Sequence, residues 1–276
     1  MYVLWNNQII ERSAVKIDIE DRGYQFGDGL YEAIRLYNGK LFMYNEHFDR
    51  LERCAKKIRL DLPFSRSELF QRLVKLVAIE KLSDGEVYLQ VTRGISSPRN
   101  HLFPVNSQPV LTANITPFSR PVTLQRQGKT ACLVKDQRWL HCDIKSLSLL
   151  GNLLSLDEAI QRGFDDALLV RDGYFTEASA SNLWFVINGC LYTHQDGPLV
   201  LPGITKMQLL RIIHHEQLPV KEIAVPVSDL DQIEECFLTN SIEEIIPVIS
   251  IDGKLIGNGH PGKLTKLLQQ KYLEQI

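Results

Sequence analysis

The chain has 276 residues, 44% hydrophobic and 23% charged, a globular balance that excludes a disordered or low-complexity protein. Lys+Arg at 31 against Asp+Glu at 33 leave a formal net charge of -2, which removes the basic excess that nucleic-acid binding requires. The five cysteines, Cys54, Cys132, Cys142, Cys190 and Cys236, are too widely spaced for a disulfide framework or a zinc ribbon, so free thiols in a reducing compartment are expected. The N-terminus lacks the basic patch and apolar run of a secretory signal, and no stretch approaches the ~18 apolar residues of a membrane helix. A soluble, cytoplasmic protein with no nucleic-acid or membrane partner is the expectation.

Taken in order, the chain opens with alternating segments around Asn6-Asn7, which predict a hairpin. Residues 21–29 hold three glycines and three charged residues, which predicts a shaped loop rather than a regular element. A second hairpin turns at Asn38-Gly39, a pair that tolerates positive φ. Asn45 is placed as the cap of a helix over 45–59, with Phe48, Leu51, Ala55 and Ile58 on one face. Ser65 and Glu68 have the spacing of a capping box and open a second helix, with Leu69, Leu73, Leu76 and Val77 inward. Strands over 86–92 and 110–116 flank a Gly-, Ser- and Pro-rich loop at 93–106.

Residues 118–128 are expected to be an interdomain linker, dividing a smaller α+β domain (1–117) from a larger one (129–276). In the larger domain, short strands pair around Asp172-Gly173, Asn188-Gly189 and Asp252-Gly253, between helices over 149–162, 206–216 and 261–274. Hairpin-linked strands interspersed with helices predict an α+β fold with antiparallel sheets, not a doubly wound parallel sheet.

The common catalytic templates are missing: no G-x-x-x-x-G-K-[ST], no G-x-S-x-G, no H-E-x-x-H. His214 and His215 are adjacent on a helix, point to different faces and read as solvated residues rather than a metal pair. Three features remain. Lys145 lies among apolar neighbours, so it either snorkels or is desolvated, and desolvation suits an amine that attacks a carbonyl. Glu177 precedes the small residues Ala178-Ser179-Ala180-Ser181, where an acid either caps a turn or lies beneath a flat ligand. Gly203-Ile204-Thr205 opens a helix, whose free amides and hydroxyl suit either a plain cap or a phosphate.

With these residues named, the chain resembles the fold-type IV pyridoxal-phosphate enzymes, a family containing D-amino-acid aminotransferases, branched-chain aminotransferases and aminodeoxychorismate lyases. The resemblance spans essentially the whole chain. It rests on Glu20-Asp21-Arg22-Gly23-Tyr24-Gln25-Phe26-Gly27-Asp28-Gly29, Asn45-Glu46-His47, Asp49-Arg50-Leu51, Val91-Thr92-Arg93-Gly94 and Arg138-Trp139. Further matches are Cys142-Asp143-Ile144-Lys145-Ser146-Leu147, Thr176-Glu177, Ser181-Asn182, Gly203-Ile204-Thr205 and Ile251-Asp252-Gly253-Lys254.

The resemblance implies a smaller N-terminal and a larger C-terminal domain with antiparallel and mixed sheets, the active site between them and the cofactor lysine in the larger. It also implies pyridoxal 5'-phosphate bonded to Lys145, the same amine then moving the substrate proton. Glu177 is implied to face the pyridine nitrogen, and Arg50, Ile204, Thr205, Asn240 and Ser241 to hold the phosphate. Tyr31, with Arg99 and His101 reaching in from the neighbouring subunit of a homodimer, is implied to hold the substrate α-carboxylate. The Arg-x-His pair implies D-amino-acid transamination, D-alanine and 2-oxoglutarate giving pyruvate and D-glutamate. Thr239-Asn240-Ser241 resembles instead the lyase, which makes 4-aminobenzoate and pyruvate; branched-chain transamination ranks third. Pro202 stands where the pattern has a Lys, and the loop before Arg99 is one residue longer.

Overall fold

Strands β1 (Tyr2–Trp5) and β2 (Gln8–Glu11) form the hairpin around Asn6-Asn7 that the alternation predicts. The computed structural model describes all residues, 1–276, as two compact units: Met1–Ser119 with Ile144–Ser148, and Arg120–Asp143 with Leu149–Ile276.

In the first unit, α1 (Arg22–Phe26) corrects the expectation of an irregular loop over 21–29. Asp21 Oδ1 accepts from the Gly23 amide and caps it, and Gly27 ends it in the left-handed region. Next come β3 (Gly29–Tyr37), β4 (Lys40–Leu41), α2 (Tyr44–Lys57), α3 (Arg66–Glu80), β5 (Gly85–Thr92) and β6 (Val110–Pro117). Met43, not Asn45, precedes α2 as its cap; it adopts φ 53° and offers no side-chain acceptor, so Asn45 falls in the first turn. The α3 capping box forms as predicted, with Ser65 and Glu68 bonding each other's amides.

The six strands order as β2-β1-β6-β5-β3-β4. Leu51, Leu69, Leu73 and Leu76 of the helices form a core with Ile34, Leu36, Val87, Leu89, Val91, Leu111 and Ile115. Each fully buried leucine contributes about 1.5–3 kcal/mol.

The edge of this sheet is what positions the lysine. Strand β4 pairs only with Leu36 and Tyr37, which leaves the N-terminal half of β3 with unpaired backbone groups. Ile144–Ser148 takes that edge: the Tyr31 amide donates to Lys145 O at 3.1 Å, and the Leu147 amide to Gly29 O at 3.1 Å. A Cβ on Gly29 would stand 2.5 Å from Val91 O and 2.7 Å from Leu147 Cδ1, so only glycine permits the approach. Lys145 therefore belongs with the first unit, not with the larger one as expected, because its backbone bonds are to β3.

The second unit begins with α4 (Val122–Gln127), a helix where a linker was expected. It continues through β7 (Lys129–Lys135), α5 (Leu150–Gln161), β8 (Asp166–Arg171), β9 (Tyr174–Ala178), β10 (Asn182–Ile187) and β11 (Cys190–Thr193). It ends with α6 (Ile204–His215), β12 (Val220–Glu222), β13 (Glu235–Asn240), β14 (Glu244–Ile251), β15 (Lys254–Leu255) and α7 (Lys263–Leu273). The main path of the sheet is β12-β11-β10-β13-β14-β7-β8-β9, with β15 hairpinned onto β14.

Parallel pairs β14–β7, β7–β8 and β11–β12 among antiparallel hairpins make the sheet mixed, so the fold is α+β. Leu168, Phe175, Phe185, Leu238 and Val248 fill one core; Cys132, Val134, Leu169 and Ala159 of α5 fill another. The outer face of α5 is apolar and open, with Leu150, Leu153 and Leu154 at 68%, 59% and 61% exposure. No helix is long and apolar enough to cross a membrane.

Candidate active site

Lys145 presents its side chain to the sheet face that carries Tyr31. Its Nζ lies 4.2 Å from the centroid of the Tyr31 ring, which stacks on Tyr88 of β5 at 5.7 Å. The Lys145 backbone N–H donates to Cys54 Sγ at 3.4 Å, so a buried thiol of α2 backs the segment. Burial pushes that thiol up and keeps it protonated.

Behind β3, Arg50 is fully buried. Its Nε and Nη2 donate to both oxygens of Glu32, at 2.8 and 2.6 Å, a bidentate ion pair. His47, one turn earlier on α2, places Nδ1 2.7 Å from Glu32 Oε2. Burial works against the Glu32 charge, yet the Arg50 fork and His47 hold its carboxyl down at about 2. Burial lowers His47 as well, so its imidazole is neutral near pH 7, with the Nδ1 proton on the Glu32 side. The sequence assigned a role to Arg50 but none to Glu32 or His47, whose contacts cross from a strand to a helix.

In the second unit Glu177 lies near the end of β9 with 5% exposure, and three donors surround it. Arg138 Nη1 donates to Oε1, while Asn182 Nδ2 and the Leu201 amide donate to Oε2 at 3.1 and 3.0 Å. Burial pushes the Glu177 carboxyl up, and Arg138 pulls against that. Donors on both oxygens are the arrangement that serves a carboxylate.

Arg138 is anchored in turn. Its Nε and Nη2 donate to Asp136 at 3.0 and 2.9 Å, and Thr176 Oγ1 donates to the same carboxylate at 2.9 Å. Sequence reading placed Glu177 but left Arg138 without a role, because the pair is 39 residues apart.

Helix α6 starts at Gly203 with no capping side chain, so its first amides have no side-chain acceptor. Asn182 Oδ1 would lie 2.0 Å from a Cβ at 203, so glycine lets the Glu177-bound Asn182 pack under the helix start. Thr205 and Ile204 are buried there. Asn240, expected in the same cradle, turns its side chain to its own loop: Oδ1 accepts from the Ile242 and Glu243 amides, and Nδ2 donates to Ser181 Oγ. Ser241 follows it in that turn. His214 and His215 are exposed at the far end of α6.

Arg99 and His101 lie on the exposed loop between β5 and β6. Both meet one ring: Arg99 Cζ is 4.3 Å from the Phe26 centroid, and the His101 ring is 5.6 Å from it. The structure thus brings Arg99 with His101, Lys145 with Tyr31, and Glu177 with the α6 start through Asn182.

Comparison with known proteins extends this geometry. Residues 29–251 match the family model described as amino-transferase class IV. D-alanine aminotransferase of Listeria monocytogenes is 45% identical over 278 residues, covering 100% of this chain and 96% of that protein. The Bacillus licheniformis protein of the same name is also 45% identical, covering 98% and 95%. The crystal structure of the Escherichia coli branched-chain amino acid aminotransferase superposes with a TM-score of 0.93 at 23% identity, over 99% of this chain and 93% of that one, a likeness of fold. With a matched family model over most of its length and full-length relatives at this identity, the chain belongs to the class IV amino-transferase family.

Proposed function

We propose that the protein transaminates D-amino acids with pyridoxal 5'-phosphate, converting D-alanine and 2-oxoglutarate to pyruvate and D-glutamate. The observation that carries this reading is the donor set. A lysine amine stands against an aromatic ring, a buried carboxylate is held by three donors, and a helix start has no capping side chain. These groups fit an aldehyde, a ring nitrogen that carries a proton, and a phosphate. The relatives named D-alanine aminotransferase, matched over the full chain, support the substrate class.

When bound, pyridoxal phosphate supplies the electron sink that makes the substrate Cα–H acidic and carries the amino group between half-reactions. Lys145 would hold it through Nζ, and the same amine, once free, would be placed to move the substrate Cα proton. Glu177 would face the ring nitrogen and, as a carboxylate, favour its protonated form. The Ile204 and Thr205 amides, with the Thr205 hydroxyl, would hold the phosphate, whose charge suits the positive end of the α6 dipole. Arg50, oriented by Glu32, would supply a positive charge for the phosphate, and Asn240 and Ser241 would be its remaining ligands. Tyr31 lines the substrate side.

Arg99 and His101 bind the α-carboxylate, and in a homodimer they serve the neighbouring subunit's site. The exposed apolar face of α5 supports such a dimer. The five free cysteines support a reducing compartment, the cytoplasm. Thr239-Asn240-Ser241 is the run that pointed to lyase chemistry, but the full-length relatives named D-alanine aminotransferase favour transamination over the lyase.

The test follows pyruvate from D-alanine and 2-oxoglutarate in the purified holoenzyme. L-leucine, L-valine and aminodeoxychorismate serve as rival substrates. D-alanine is expected to be turned over and Lys145→Ala to be inactive. 4-Aminobenzoate release, or turnover of the L-substrates alone, overturns the reading.

A further inference from the structure

Arg22 is a buried arginine that the reaction as described does not use, and its contacts converge on the loop carrying Arg99 and His101. Its Nε donates to Asp28 Oδ2 at 2.8 Å, and its Nη1 donates to the Asn100 carbonyl at 2.6 Å. That carbonyl belongs to the residue between Arg99 and His101. Phe26, one turn along α1, supplies the ring on which Arg99 and His101 both rest, and the Arg22 guanidinium lies 4.8 Å from that ring. Helix α1 is itself fixed at its start: Thr92 Oγ1 donates to Asp21 Oδ2 at 2.8 Å, and the Arg22 amide to Gly94 O at 2.9 Å.

Asp28 also accepts from Arg93 Nε at 2.8 Å, and Arg93 spends its other donors on the Arg59 and Ile58 carbonyls. Phe103, next in the loop, lies 3.9 Å from the Arg93 guanidinium, 5.2 Å from that of Arg59 and 5.9 Å from that of Arg22. Arg99 and His101 are exposed and lie outside any helix or strand, so ladder bonds do not place them. A hydrogen bond from an ionised donor is about twice as strong as a neutral one, and this donor cannot swing because Asp28 holds the other side of its fork.

We propose that Arg22, with Phe26, is the positioning group of the substrate carboxylate site: it fixes the main chain at Asn100 and thereby the spacing of Arg99 and His101. The inference rests on the reading of Arg99 and His101 as carboxylate ligands. A loop held in one geometry pays no ordering cost when the substrate arrives, so loss of the clamp acts on substrate affinity and spares the chemistry at Lys145.

The experiment compares wild type with Arg22→Met, Arg22→Lys, Phe26→Leu and Arg99→Ala as holoenzymes. Steady-state kinetics with D-alanine is set beside the half-reaction with D-alaninol, which lacks the carboxylate. Amide hydrogen exchange over residues 97–106 is measured without substrate. In Arg22→Met the KM for D-alanine is expected to rise about ten-fold, the worth of one charge-assisted hydrogen bond, with kcat within about two-fold. D-alaninol is expected to react as in wild type, and exchange at 99–103 to quicken.

Arg22→Lys keeps the charge but loses the planar fork, so it should fall between. Phe26→Leu removes the shared ring without emptying the site and keeps the inference testable if Arg22→Met does not fold. Equal losses with D-alanine and D-alaninol, or unchanged KM and exchange in variants where Arg99→Ala raises KM, overturn the inference. An unchanged KM in Arg99→Ala itself overturns the underlying reading of Arg99, whatever the exchange data show for Arg22.

Discussion

Glu177 takes a proton donor on each of its oxygens from within the protein, and its burial makes the negative charge costly unless further partners compensate it. Glu177→Gln keeps the size of the side chain and removes the charge. It is expected to lower kcat by about 10²–10³-fold, the usual worth of one preorganised electrostatic group, while the far-ultraviolet dichroism is unchanged. An unchanged kcat would show that the ring nitrogen does not depend on this carboxylate. At this scale the sequence is readable where chemistry and local context coincide. Glu177 stands out because an acid precedes four small residues, and Lys145 because a lysine lies among apolar neighbours. Arg138, Glu32 and Arg22 receive no role from sequence, because each acts through a partner that only the fold brings near.

Helix α2 and strand β3 together hold a buried charge cluster whose titration is visible from outside. Glu32 is lowered from its ordinary 4.5 to about 2, so its contribution is complete above pH 4.5 and is lost as the pH falls towards 2, roughly 3 kcal/mol in all. His47 is lowered too, so the unfolded chain takes up a proton before the folded one does, and stability also declines as the pH drops below about 6.5. Urea midpoints measured from pH 7 to pH 3 are expected to fall, and Glu32→Gln to flatten the acid end of that curve. An equally steep fall in the variant would place the titration elsewhere.

Elements with strong local signals were legible: the Ser65 capping box, and the hairpins at Asn38-Gly39, Asp172-Gly173 and Asn188-Gly189. Helix α1 was hidden because its five residues include Gly23, and the start of α2 because a left-handed methionine carries no sequence signal. Within the span 118–128 expected to link domains, residues 122–127 form α4, a helix too short for periodicity to reveal.

For the molecule as a whole, the outward leucines of α5 are the feature a monomer in water would not favour. If the proposed homodimer forms through this face, Leu153→Glu is expected to yield monomers in sedimentation velocity and, by removing the partner's Arg99 and His101 from each site, to lose D-alanine turnover. A variant that stays dimeric would move the interface off this helix.

The insertion of Ile144–Ser148 beside β3 has a consequence for synthesis. No single cut in the coding sequence releases either unit intact, and a ribosome that has delivered residues 1–119 has not yet made the backbone that closes the sheet edge. The nascent chain must hold that edge open until residue 148 has left the exit tunnel. Fragment expression of 1–119 should therefore give a product prone to pair with other strands, and a synthetic peptide spanning 144–148 should bind it.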